Sequence, residues 1–112
     1  MEKQDVISAL SSLAQETRLE IFRLLVRAGP GGLSAGAIGE VLSLPSPTLS
    51  FHLKELKNAR IVCCERDGRS LIYSADCGAT RELLGYLTEN CCQGVALSRT
   101  GAASRKQKGR TA

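Results

Sequence analysis

Apolar residues recur along this chain in short bursts at helical spacing, and one late segment changes to the rhythm of strands. DVISALSSL, residues 5–13, carries Val6, Leu10 and Leu13, which predicts a short first helix with these three facing inward. TRLEIFRLLVR, residues 17–27, predicts a stronger helix with Leu19, Phe22, Leu25 and Val26 inward, and Gly29-Pro30-Gly31-Gly32 ends it. Ser34 is placed to cap a third helix running to about Leu42, and Ser43–Pro45 makes a turn. A fourth helix follows, with Pro47 in its first turn, where a missing N–H costs nothing. Its apolar stripe is Leu49, Leu53 and Leu56, while Ser46, Thr48, Ser50, His52, Lys54 and Lys57 fall largely outside that stripe. Then Ile61–Cys64 and Leu71–Tyr73 read as two strands joined through Asp67-Gly68, a dipeptide suited to a tight hairpin. Asp76 or a near neighbour starts a last helix, whose apolar face runs through Leu83, Leu84, Leu87 and Cys91 until Gly94.

The predicted fold is mainly α with a small β-hairpin, in the order helices, hairpin, helix. A helix faced with hydroxyls and cations, followed at once by a hairpin with Arg66 and Arg69 at its tip, is what a winged helix-turn-helix needs to grip duplex DNA. The helix enters the major groove and the wing touches neighbouring phosphates. Ser46, Thr48, Ser50 and His52 are the candidates for base-edge or phosphate contacts. Lys54, Lys57 and Arg60 are mainly phosphate contacts, and Arg66 and Arg69 wing contacts. Phe51 either touches a thymine methyl or packs.

A chain of 112 residues is one domain by length. Two Phe, two Tyr and no Trp leave a small core, which makes a dimer an expected source of further burial. No apolar run approaches the roughly 20 residues of a membrane span, and the polar start MEKQD is no secretory signal. A cytoplasmic location is therefore expected. Five cysteines are an odd number in a reducing compartment, so thiolate ligands are a better reading than a disulfide framework. The net charge of +4 is unevenly placed. Arg99, Arg105, Lys106, Lys108 and Arg110 stand in an acid-free tail, leaving ten cations against eleven acids in residues 1–98. Residues 1–94 are read as the DNA-binding and dimerisation domain, and 95–112 as a basic disordered tail. That tail either adds non-specific phosphate affinity or only solubilises the chain.

Three ordered segments, LAQETRLEIFRLLV (13–26), PTLSFHLKEL (47–56) and DGRSLIYS (67–74), resemble successive signatures of ArsR/SmtB-type winged-helix repressors. The resemblance covers roughly residues 5–92. It implies a homodimer whose two recognition helices read an inverted repeat in operator DNA, and a metal or metalloid ion that releases the protein. No cofactor is required for that activity.

The family places its inducer sites differently in different branches. A cysteine pair in the third helix is absent here, because LSAGAIGEVL puts Ser34 and Gly36 at those positions. A His-rich zinc site is excluded by ligand count, since His52 is the sole histidine. The chain instead resembles the arsenic-responsive branch with a vicinal pair, here Cys91-Cys92, at the end of the last helix. Adjacent Cα atoms lie about 3.8 Å apart, below the usual disulfide range of about 4.4–6.8 Å. The two thiols resist closing on each other, yet both can turn onto one soft ion. Relatives carry a third cysteine further on; Ser98 stands in the comparable stretch. Arsenite, with three exchangeable hydroxyls, is held best by three thiolates, and trivalent methylarsenite needs only two. Trivalent arsenic is thus the expected inducer, as arsenite, methylarsenite or both, with antimonite related by the same chemistry. A third ligand is open among Cys77, Cys63, Cys64, Ser98 and a group on the other protomer. Cys63-Cys64 reads as packing, because successive strand side chains point to opposite faces, and Cys77 does so too, being isolated near the start of the last helix. Alternative readings are a thiol redox sensor or a sensor of another soft metal. An enzyme is disfavoured, since no CxxC motif or phosphate-cradling glycine loop accompanies the cysteines.

Overall fold

The computed structural model describes residues 1–94. The basic tail expected at 95–112, Ser98 included, lies outside the described residues. The elements are α1 (Lys3–Leu13), α2 (Glu16–Ala28), β1 (Leu33–Ser34), α3 (Ala35–Leu42), α4 (Ser46–Asn58), β2 (Val62–Asp67), β3 (Ser70–Ala75) and α5 (Cys77–Thr88). This is the expected helices–hairpin–helix order, with one short strand the hydrophobic pattern did not reveal.

Local signals set most boundaries. Gln15 caps α2 by accepting from the Arg18 N–H at 2.8 Å, and Gly29 ends it at φ 85°. The Ser34 hydroxyl accepts from the Ala37 N–H at 3.1 Å and opens α3, as expected. Ser43, left-handed at φ 56°, ends α3. A Cβ on Gly39 would stand 3.2 Å from the Leu44 carbonyl oxygen and 3.4 Å from a Leu49 methyl, so a small residue lets α3 close onto α4. Pro45 precedes α4 and Pro47 sits in its first turn. Asp76 caps α5 through the Ala79 N–H at 2.9 Å.

The three strands form one antiparallel sheet in the order β1-β3-β2. Asp67 pairs with Ser70, so Gly68 and Arg69 are the two turn residues, one step later than the Asp67-Gly68 placement. Gly68 takes φ 65°, as the first turn residue of a type II′ hairpin requires. Leu33 pairs with Tyr73 and Ser34 with Ile72. Gly32 lies beside that seam at φ 69°, and a Cβ there would collide with the Tyr73 carbonyl.

The core comprises Val6, Ala9, Ile21, Phe22, Leu25, Ile38, Leu49, Leu53, Leu56, Ile61, Val62 and Leu83. It corrects the predicted inward faces. In α1 the buried line is Val6, Ala9 and Ser12, while Leu10 is exposed and Leu13 half-buried. In α2 Ile21 takes the inward position and Leu19 and Val26 are exposed. In α5 Leu83 is buried, but Leu84 and Leu87 face outward. The cause is that an apolar stripe read from leucines includes any second apolar band on the same helix. Ile7 and Leu10 on α1, with Leu84, Tyr86 and Leu87 on α5, are such surplus apolar surface.

Candidate nucleic-acid interface and thiol site

Four leucine-rich positions decide how α4 is presented. Leu49, His52, Leu53 and Leu56 are its buried residues, spaced i, i+3, i+4, i+7, so they form one inward stripe. Opposite them, Ser46, Thr48, Ser50, Lys54 and Lys57 are all exposed, as the sequence predicted. Arg60 is exposed just beyond the helix, at φ 66°. Arg66 and Arg69 are exposed at the hairpin tip, Arg69 in the turn itself and Arg66 across from Leu71. One molecule thus presents hydroxyls and cations on a projecting helix, with arginines on a wing beside it.

His52 departs from its expected place. It is 8% exposed, so it belongs to the inward stripe and not to the set offered to DNA. Its Nδ1 lies 3.4 Å from Arg18 Nη1. A guanidinium only donates, so Nδ1 accepts and the ring proton sits on Nε2. Arg18 Nε in turn donates to the Ser12 carbonyl at the end of α1, at 2.6 Å. Burial first, and then the Arg18 charge, push the His52 pKa below its usual value, with Glu55 pulling weakly the other way. His52 is therefore neutral at pH 7. Arg18 is the residue that sequence reasoning missed, although the spacing 49, 52, 53, 56 already placed His52 with the leucines.

Phe51 is 56% exposed on the outward side of α4. Its ring meets the His52 ring edge-on, with centroids 5.3 Å apart and an interplanar angle of 66°.

The cysteines divide between the two ends of α5. Helix α5 stops at Thr88, short of the expected Gly94, and the chain continues in turns with Asn90 and Cys92 at φ 56° and 59°. Cys91 and Cys92 consequently sit past the helix and do not continue its apolar face. Both are exposed free thiols, with sulfurs 3.0 Å apart, beyond the roughly 2.05 Å of an S–S bond. The hydrogen bond to Cys92, and then its charge, raise the Cys91 pKa. At the other end, Cys77 is the first residue of α5, and Cys63 Sγ donates to Asp76 Oδ2 at 3.7 Å. Twelve helical residues separate these ends, about 18 Å along the axis. Cys63 and Cys77 are thereby removed as a third ligand to Cys91 and Cys92 within one chain. Burial foremost, then Asp76, raises the Cys63 pKa and makes it a poor nucleophile. Cys64, half-buried, pairs with Tyr73 across the sheet, as a packing role predicts. Among the described residues no group of three or more His, Cys, Asp or Glu side chains is assembled for a metal ion.

The helix-turn-helix domain family HTH_20 matches residues 13–63. The arsenical resistance operon repressor of Staphylococcus xylosus is 30% identical over 90 residues, covering 80% of each protein. The structure of AntR, an antimony-specific transcriptional repressor, superposes with a TM-score of 0.60 at 28% identity, over 77% of both chains. An ArsR-like transcriptional regulator from Rhodococcus sp. RHA1 shares the fold, with a TM-score of 0.72 at 22% identity, over 97% of this chain and 96% of that one. Other curated relatives, all named as transcriptional regulators, are matched over 58%, 58% and 61% of their own length. The fold and its projecting helix define a winged helix-turn-helix regulator. The chain belongs to the ArsR family of such transcriptional regulators. Its relatives are DNA-binding proteins rather than enzymes.

Proposed function

We propose that this protein is a homodimeric, cytoplasmic repressor that leaves its operator when a trivalent arsenical binds the thiolates of Cys91 and Cys92. The observation that carries the inducer is the pair itself: two exposed sulfurs 3.0 Å apart, on the chain leaving α5. The names of the S. xylosus and AntR relatives support a metalloid effector. No described helix is long and apolar enough to cross a membrane, which agrees with a role at DNA.

Two thiolates suit an arsenical that keeps one carbon substituent, so methylarsenite is the favoured inducer. Arsenite or antimonite needs a third donor from the chain beyond residue 94 or from the partner protomer. Release requires the arsenical to bind the low-affinity dimer more tightly than the DNA-bound one, since equal affinity shifts nothing. Drawing Cys91 and Cys92 onto one centre tightens the turns after Thr88 and re-angles α5, whose outward Leu84 and Leu87 form the dimer seam. On the DNA, Ser46, Thr48 and Ser50 meet base edges or phosphates, Lys54, Lys57 and Arg60 meet phosphates, and Arg66 and Arg69 clasp the backbone.

The test is release from promoter DNA followed by fluorescence anisotropy, with arsenite, methylarsenite and diamide titrated in parallel at fixed salt. Methylarsenite should release the wild type, and the double variant C91S/C92S should bind DNA yet no longer respond. Release by diamide alone would replace the arsenical reading with a thiol redox sensor. Release of the double variant by methylarsenite would remove the site from Cys91 and Cys92.

A further inference from the structure

The chain has two phenylalanines. Phe22 is spent on the core, but Phe51 is 56% exposed on the outward side of α4. At 100° per residue it falls between Asn58 and Glu55, on the side of the helix away from the buried stripe of Leu49, His52, Leu53 and Leu56. The ring also has a neighbour on its inner side. It rests edge-on against His52, which Arg18 holds at Nδ1, and Arg18 is anchored on the Ser12 carbonyl. A partly buried polar chain from α1 to α4 thus underlies one exposed aromatic ring. An aromatic left in water and propped from beneath has an apolar partner to meet.

The neighbourhood selects that partner. Thr48 and Lys54, three residues to either side, are exposed beside the ring, with Glu55 half-buried at i+4. Ser50 and Lys57 add a hydroxyl and a cation farther round the exposed surface, which suits an anionic, hydrogen-bonding target. The floor of the DNA major groove offers one apolar group in unmodified bases, the C5-methyl of thymine. We propose that Phe51 is a specificity-determining residue that contacts a thymine methyl in each operator half-site, and that His52 and Arg18 are positioning residues for its ring. This rests on the reading of α4 as the helix that enters the major groove.

The experiment begins by selecting a binding sequence from a randomised duplex library with the full-length protein. Each thymine of that sequence is then replaced by deoxyuridine, which removes the methyl and changes nothing else on the groove edge. One symmetry-related thymine pair should lose about fourfold in affinity per half-site, the worth of one buried methyl, while the other thymines change little. Phe51→Ala should abolish that difference in a double-mutant cycle, and Phe51→Leu should retain part of it. His52→Gln should shrink the thymine-to-uracil ratio with the salt slope of binding unaltered, which a general loss of folding would not produce. A flat uracil scan in the wild type, or an undiminished ratio in Phe51→Ala, would overturn the proposal and leave DNA binding standing. If the scan is flat and Phe51→Ala instead weakens self-association, the ring meets a second copy of the chain. Failure to enrich any sequence, with no binding at low salt, would sink the DNA-facing assignment of α4 along with it.

Discussion

His52 shows how much one side chain can change the account of a recognition helix. It is the chain's sole histidine, and a polar residue on a helix with cations invites assignment to the ligand-facing side. Expected on that side, it lies instead with the leucines, at the i+3 position of an i, i+3, i+4, i+7 set. The compensating partner, Arg18, lies 34 positions earlier, a contact no local pattern encodes. Because burial and Arg18 lower the His52 pKa below the ordinary 6.5, the unfolded chain binds a proton before the folded one does. The stability contributed by the neutral ring is therefore complete above pH 6.5 and is lost as pH falls from there towards the lowered folded value. Urea midpoints measured from pH 7.5 down to 5.5 should fall for the wild type and fall less steeply for His52→Gln. The cysteines give a second prediction at this scale. Cys63 and Cys77 stand about 18 Å from the vicinal pair, at the opposite end of α5. C63S and C77S should leave the methylarsenite release curve in place; a large shift in its midpoint would show that the two ends meet.

At the scale of elements, the helix-turn-helix and wing were legible because strong local signals coincide with the fold. Ser34, Pro45-Pro47 and Asp76 act where the sequence put them, and Gly68 makes the hairpin turn. The two-residue strand β1 was not legible, since two residues carry no periodicity; it exists because β3 offers an edge for Leu33 and Ser34. Gly32 is the residue that permits this, combining φ 69° with backbone contact to Tyr73. Gly32→Ala should destabilise the fold by more than about 1 kcal/mol, visible as a lower denaturant midpoint. Gly68→Ala should cost less: φ is also left-handed there, but no atom lies within 4 Å of the added methyl. The wing carries a different expectation. Arg66 and Arg69 are exposed at a hairpin tip that also holds Glu65 and Asp67, and the proposed role for them is phosphate contact. Replacing either with Ala should lower the slope of log K against log salt by about 1 and weaken all sequences alike. A change confined to one base position would instead mark the wing as a base reader.

For the whole molecule, the informative departure is an exposed apolar surface that includes Leu10, Leu84 and Leu87, which the sequence assigned to inward faces. Ile7 and Leu10 on α1, and Leu84, Tyr86 and Leu87 on α5, remain exposed in a single chain. These helices touch each other, so the two apolar bands belong to neighbouring elements. A lone subunit has no use for such bands, whereas a two-fold axis beside them buries each band twice. The same axis would set two α4 helices on one side of the dimer, as reading an inverted repeat requires. Removing the exposed half of Leu84 and of Leu87 from water contributes about 1 kcal/mol each. Four such side chains per dimer then amount to about a thousandfold in the dimer dissociation constant. The double variant L84E/L87E should sediment as a monomer at concentrations where the wild type is a dimer. Since both residues face outward, its circular dichroism should remain that of the folded chain. Its affinity for a full inverted repeat should fall towards that for a half-site, because the second recognition helix is no longer tethered to the first. A folded variant that still sediments as a dimer would move the seam off α5. It would also remove the proposed route from Cys91 and Cys92, through α5, to the spacing of the two α4 helices.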